Sequence, residues 1–150
     1  MGINYDCKCS QCGFEGYFSV GVGMLFPRVY QKTMEQARAG MMGEILQNFL
    51  TRFPDGVLNA ETVAKVCPNC GTIDSVQNLS MYIPKKDIEK PNPDDAIWNL
   101  EAYYELYSAY PHKCDKCGAD CDTVSDREAE KMKCPLCHAE MKITPYLFWD

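Results

Sequence analysis

The spacing of hydrophobic and polar residues changes several times along the chain, and each change predicts an element. Phe14 to Phe26 is rich in aromatic and β-branched residues around the flexible Gly21 and Gly23, which reads as β-hairpin material. Thr33 to Gln36 then fits a capping box, with Thr33 as N-cap. Beyond it, Met34, Ala37, Met41, Met42, Ile45, Phe49, Leu50 and Phe53 recur at three- and four-residue steps. That period predicts an amphipathic helix over about 33–53, stopped by Pro54-Asp55-Gly56 and weakened at Gly40 and Gly43. Its stripe suits packing on the N-terminal β unit, and Met34, Met41 and Met42 also offer an adaptable binding face.

Later segments are shorter. Val63 to Val66 reads as a strand, and Leu79, Met81 and Ile83 alternate as another. Pro84 to Pro93 is charged and proline-rich, which predicts an interdomain linker over 85–93. A helix capped by Asp94 or Asp95 is expected through Trp98, Leu100, Tyr103, Tyr104 and Tyr107. Glu140 to Trp149 reads as the last strand, with Trp149 covering the C-terminal core.

Composition sharpens this into chemistry. Of 150 residues, 46% are hydrophobic and 24% charged, which is ordinary for a folded chain and too apolar for wholesale disorder. No apolar run approaches the ~18–20 residues that span a bilayer. The first residues, Met1 to Asp6, lack the basic and apolar regions of a signal peptide, so a cytoplasmic location is expected. The unusual feature is 10 cysteines beside only 2 histidines.

Eight of these cysteines form four C-x-x-C pairs: Cys9/Cys12, Cys67/Cys70, Cys114/Cys117 and Cys134/Cys137. This spacing lets a tight turn aim two sulfurs at one ion, about 2.3 Å away for zinc. Gly13, Gly71 and Gly118 follow three of the pairs, where the backbone tends toward positive φ, and His138 follows the fourth. A disulfide framework goes with secretion, and a thioredoxin-type site needs one pair in a βαβ setting. Two metal sites fit better.

Four pairs can combine in three ways. Sequence neighbours close the shortest loops, so the default is Cys9, Cys12, Cys67 and Cys70 in site 1, with Cys114, Cys117, Cys134 and Cys137 in site 2. Cys7 and Cys121 are left over; Cys7 can swap with Cys9, and Cys121 with Cys117. His112 and His138 read as neighbours of the turns, not ligands.

These residues resemble the zinc-ribbon family, in which two cysteine turns at the tips of β-hairpins clamp one zinc. Tyr5 to Gly13 and Cys67-Pro68-Asn69-Cys70-Gly71 resemble its rubredoxin variant, and Cys114 to Lys142 is the closer match to a ribbon. The chain as a whole is similar to small bacterial proteins that carry a split N-terminal ribbon and a C-terminal ribbon. The resemblance implies an α+β chain with two Zn²⁺ ions and no particular activity. The expected domains are a ribbon over 1–84 split by the helix, a linker over 85–93, and a helix plus second ribbon over 94–150. Iron at site 1, in a rubredoxin-like electron carrier, is the alternative.

Formal charge is −6, and two zinc tetrathiolates at −2 each would take it to about −10. That balance disfavours nucleic acid, although Lys113, Lys131, Lys133 and Lys142 gather near the last cysteines. No H-E-x-x-H, Walker loop or G-x-S-x-G elbow is present, and His138-Ala139-Glu140 reverses the order of a deaminase signature. The expectation is a non-enzymatic zinc protein that binds a protein partner as an adaptor or regulator.

Overall fold

A computed structural model describes residues 2–89 and 92–149. It is a mixture of helices and small antiparallel sheets, the expected α+β class. In chain order the strands are β1 (Gly2–Lys8), β2 (Glu15–Gly21), β3 (Val57–Leu58), β4 (Thr62–Val66) and β5 (Ile73–Gln77). They continue as β6 (Met81–Pro84), β7 (Tyr104–Ser108), β8 (Asp122–Val124) and β9 (Lys142–Trp149). The α-helices are α1 (Phe26–Arg38), α2 (Glu44–Arg52), α3 (Pro93–Ala96) and α4 (Leu100–Tyr103).

The chain divides into two compact units, and their boundaries differ from the expected ones. The first gathers 1–24, 61–78 and 111–150; the second gathers 25–60 and 79–110. The expected linker at 85–93 belongs to the second unit instead of joining two domains, and its residues 90 and 91 lie outside the described residues. Antiparallel pairing between distant segments outweighs the local cue of a proline-rich stretch, because each strand needs a partner for its backbone groups.

In the first unit the strand order is β5-β4-β2-β1-β9, with β8 also paired to β4. Tyr5, Cys7, Phe18, Val20, Ala64, Val66 and Ala129 form its core, with Met132, Met141 and Ile143 packed against them. Tyr5 and Phe18 stack at 5.4 Å. Trp149 extends β9 onto Gly2, and its ring lies where a side chain at Gly2 would stand.

In the second unit, α1 and α2 pack on each other, and α1 meets the edge of the sheet β3-β6-β7. The single helix expected over 33–53 is two helices. Positive φ at Gly40 (80°) and Gly43 (97°) turns the chain between them, a conformation that costs glycine little. Helix α1 also starts earlier, where Pro27 occupies the first turn and needs no N–H partner. Thr33 is therefore not a cap; it is buried within α1, and its hydroxyl donates to the Val29 carbonyl at 2.8 Å.

The methionine stripe splits accordingly. Met34 joins Phe26, Tyr30 and Ala37 in the core, whereas Met41 is 73% exposed. The tyrosine helix is likewise shorter than expected. It begins at Pro93, ahead of Asp95, and gives way at Tyr104 to β7, which pairs with β6. Tyr107 packs on Phe49 and Phe53 at 5.5 and 4.8 Å.

Candidate metal centres

Each C-x-x-C pair sits in the same turn. The N–H of the first cysteine donates to the carbonyl five residues on, and the N–H four residues on donates back to that cysteine. For Cys9 these bonds involve Phe14 and Gly13, at 2.8 and 3.0 Å; for Cys67, Thr72 and Gly71, at 2.9 and 3.0 Å. Cys114 uses Ala119 and Gly118, at 2.9 and 2.9 Å; Cys134 uses Ala139 and His138, at 2.8 and 2.9 Å. The returning residue has positive φ in all four cases: Gly13 78°, Gly71 75°, Gly118 74° and His138 62°. The glycine pattern therefore marked a real backbone requirement, which His138 meets despite its side chain.

A cross-strand pair closes the base of every turn: Lys8–Glu15, Val66–Ile73, Lys113–Asp120 and Lys133–Glu140. The Lys113 ammonium also bonds the Asp120 carboxylate.

The turns combine differently from the sequence-neighbour expectation. Cys9 and Cys12 meet Cys134 and Cys137, and Cys67 and Cys70 meet Cys114 and Cys117. The first pair thus joins the fourth, and the second joins the third. Loop length favoured neighbours, but that entropy grows only logarithmically, so strand pairing decides. Strand β9, which follows the fourth turn, pairs with β1 along its length; β8, which follows the third, pairs with β4.

Two equivalent modules result, one nested inside the other. Module A is the hairpin β1–β2 plus the fourth turn and β9. Module B is the hairpin β4–β5 plus the third turn and β8. Their registers coincide: Lys8 faces Lys142 and Cys7 faces Ile143 in A, while Val66 faces Asp122 and Lys65 faces Thr123 in B. Each pair occupies the same offsets from its own cysteines. The repeat is discontinuous, so no fixed sequence period reveals it. A trace remains in Ala119-Asp120-Cys121-Asp122-Thr123 and Ala139-Glu140-Met141-Lys142-Ile143, which follow the third and fourth turns.

The sulfurs fit a tetrahedral ion. Four sulfurs about 2.3 Å from a common ion stand roughly 3.8 Å from one another. Cys9 and Cys137 are 3.5 Å apart, as are Cys12 and Cys134. Cys67 and Cys117 are 3.5 Å apart, and Cys70 and Cys114 3.6 Å. Within each group all sulfurs lie within 4.8 Å of one another, and each has two buried and two exposed cysteines.

Local donors lower some of these thiols, while burial and neighbouring sulfurs raise Cys12 and Cys67. The Cys12 N–H beside Cys9 helps bring its thiol down to about 7. The Thr72 hydroxyl, 3.1 Å from Cys70, lowers that thiol to about 6. The Asn69 side chain lowers Cys117.

The two remaining cysteines differ. Cys7 lies in the sheet core, where burial pushes its thiol up to about 11. Cys121 is half-buried beside module B, and burial raises it too. Neither belongs to a four-sulfur group, and neither do the histidines. Nε2–H of His112 donates to the Asn78 carbonyl at 2.8 Å.

One residue escaped the sequence reading. Lys65 is 6% exposed, and its ammonium donates to the Lys113 carbonyl at 2.9 Å and faces Asp115 at 3.5 Å. It ties β4 to the third turn, next to the module B sulfurs. No spacing rule marks a buried lysine; only its position two residues before Cys67, matching Cys7 before Cys9, sets it apart.

Among the described residues, no helix is long and apolar enough to cross a membrane. Comparisons with family models, curated proteins and solved structures give no match.

Proposed function

We propose that this chain is a zinc protein of the zinc-ribbon type, whose two ions are structural and whose modules present a surface to a protein partner. The observation that carries the reading is the pair of four-sulfur groups at tetrahedral spacing. Four thiolates fill the coordination of zinc and leave no open position for substrate or water, which is the pattern of structural rather than catalytic sites. Eight closely grouped thiols also suit a reducing, cytoplasmic setting. Phe14, Tyr17, Ile73 and Leu136, together with Glu15, Asp74 and Lys116, line an open groove of about 650 Å³ in the first unit, a surface that offers a peptide both apolar and charged contacts.

Elemental analysis and a visible spectrum of natively purified protein test the metal. Two zinc ions and no colour are expected; iron–thiolate absorption would replace this reading with electron transfer. A photo-crosslinking residue at exposed Tyr17 tests the partner. It is expected to capture one protein in the native host that a probe at buried Phe18 does not.

A further inference from the structure

Strand β9 forms one margin of the sheet in the first unit, paired with β1 on one side and with no described strand on the other. The Cys9 N–H is directed at Phe14 beside β2, so alternation along β1 turns the backbone groups of Asn4, Asp6 and Lys8 toward β9. Their partners Leu147, Thr144 and Lys142 answer them, which leaves the backbone groups of Ile143, Pro145 and Phe148 on the open side. Natural sheets commonly blunt such an edge with charged side chains. Here Lys142 is the strand's one charged residue, and Tyr146, Leu147 and Phe148 are 52%, 51% and 56% exposed.

The register shift of β9 between Asn4 and Tyr5 makes this edge self-complementary. The extra residue changes the parity of the strand, so Ile143 and Phe148 share the open edge and also the sheet face, opposite Cys7 and Ile3. Two antiparallel copies of β9 therefore fit edge to edge with Ile143 facing Phe148, Thr144 facing Leu147 and Lys142 facing Trp149. Each of these facing pairs lies on one face of the sheet, and Ile143 and Phe148 exchange N–H and C=O bonds across the seam. Lys142 meets an aromatic ring instead of its own copy. Pro145 selects this register, because sliding by two residues would set it against Phe148, where it has no N–H to donate.

We propose that β9 pairs with β9 of a second copy about a two-fold axis, joining the first units of two chains in one continuous sheet. Both copies use the same edge, so the assembly closes at a dimer. Roughly half of each exposed side chain is free to be covered, on the order of 600 Å² for both copies. The paired backbones bring the contact toward the ~1,000 Å² at which specific interfaces begin. That size suits a dimer that forms at micromolar concentration and dissociates on dilution. The inference goes beyond the metal reading and does not depend on which ion is bound.

Sedimentation velocity of the full, natively purified chain, from micromolar to millimolar concentration, tests the assembly. A monomer–dimer equilibrium is expected, with no larger species. Amide exchange of the same chain, read by NMR, locates the seam. Ile143 and Phe148 should exchange several-fold more slowly at high concentration than at low, while Leu147, already bonded to β1, should change little. Phe148→Pro removes the outward N–H and leaves the β1 ladder intact, so it should stay monomeric. Phe148→Ala keeps the donor and should dimerise more weakly than the wild type. A monomer at every concentration would overturn the proposal, as would a Phe148→Pro chain that dimerises like Phe148→Ala. So would a dimer whose Ile143 and Phe148 amides exchange alike at both concentrations, since its contact would lie on another surface of the chain.

Discussion

Leu136 occupies the space that a side chain at Gly71 would need: a Cβ there would stand 2.6 Å from Leu136 Cδ2. The two residues belong to different metal turns, Gly71 to module B and Leu136 to module A, so a backbone requirement in one turn seats the apolar tip of the other.

Gly71→Ala is therefore expected to lower stability by more than Gly118→Ala. Both place a Cβ at positive φ, at a cost of about 1–2 kcal/mol, but Gly118 has nothing within 4 Å of the added atom. Thermal melts of the zinc-loaded variants measure the difference. Adding Leu136→Ala to Gly71→Ala should recover the excess loss, and purely additive effects would show that the contact is not the cause.

Metal removal should act unevenly. Every cysteine lies in the first unit, while the second has its own core of Leu46, Leu58, Met81 and Ile97. A bound structural ion contributes on the order of 10 kcal/mol to folding. A strong chelator is expected to abolish amide protection in β1, β4 and β9 while protection in α1 and α2 persists. Hydrogen exchange read by mass spectrometry distinguishes this from global unfolding.

The nesting of the modules has a covalent readout. Mild oxidation of the metal-loaded folded chain, which releases the ion as the sulfurs join, should link Cys9 with Cys137 and Cys12 with Cys134, whose sulfurs stand 3.5 Å apart. Peptide mapping that found Cys12 linked to Cys67 instead would contradict the observed pairing.

Thiol reactivity should follow the local donors. With its thiol lowered to about 6 by the Thr72 hydroxyl, exposed Cys70 should alkylate in the folded, metal-loaded chain ahead of buried Cys7, whose thiol burial pushes up to about 11. The depressed value means that Cys70 favours the folded state fully above the ordinary thiol value of 9, and that this contribution fades as pH falls through about 6. Thr72→Val should raise the alkylation midpoint, read by mass spectrometry across pH 5 to 9.

Much of this was legible in the residues themselves. The C-x-x-C spacing with a trailing glycine specifies a turn by local sterics and hydrogen bonds alone, so all eight grouped cysteines and the α+β class could be read from sequence. The final strand was also visible, because it follows from residues close together in the chain, whereas Gly40 and Gly43 read only as a weak point within one expected helix. Which turn meets which was not. That depends on β9 finding β1 and β8 finding β4 across most of the chain, and strand partnership leaves almost no local trace. The tertiary structure alone paired the first turn with the fourth and the second with the third. It also grouped all four turns in one unit and set Lys65 and Cys121 beside one metal centre but not the other. Local chemistry fixed the turns, and long-range backbone pairing fixed the sites they form.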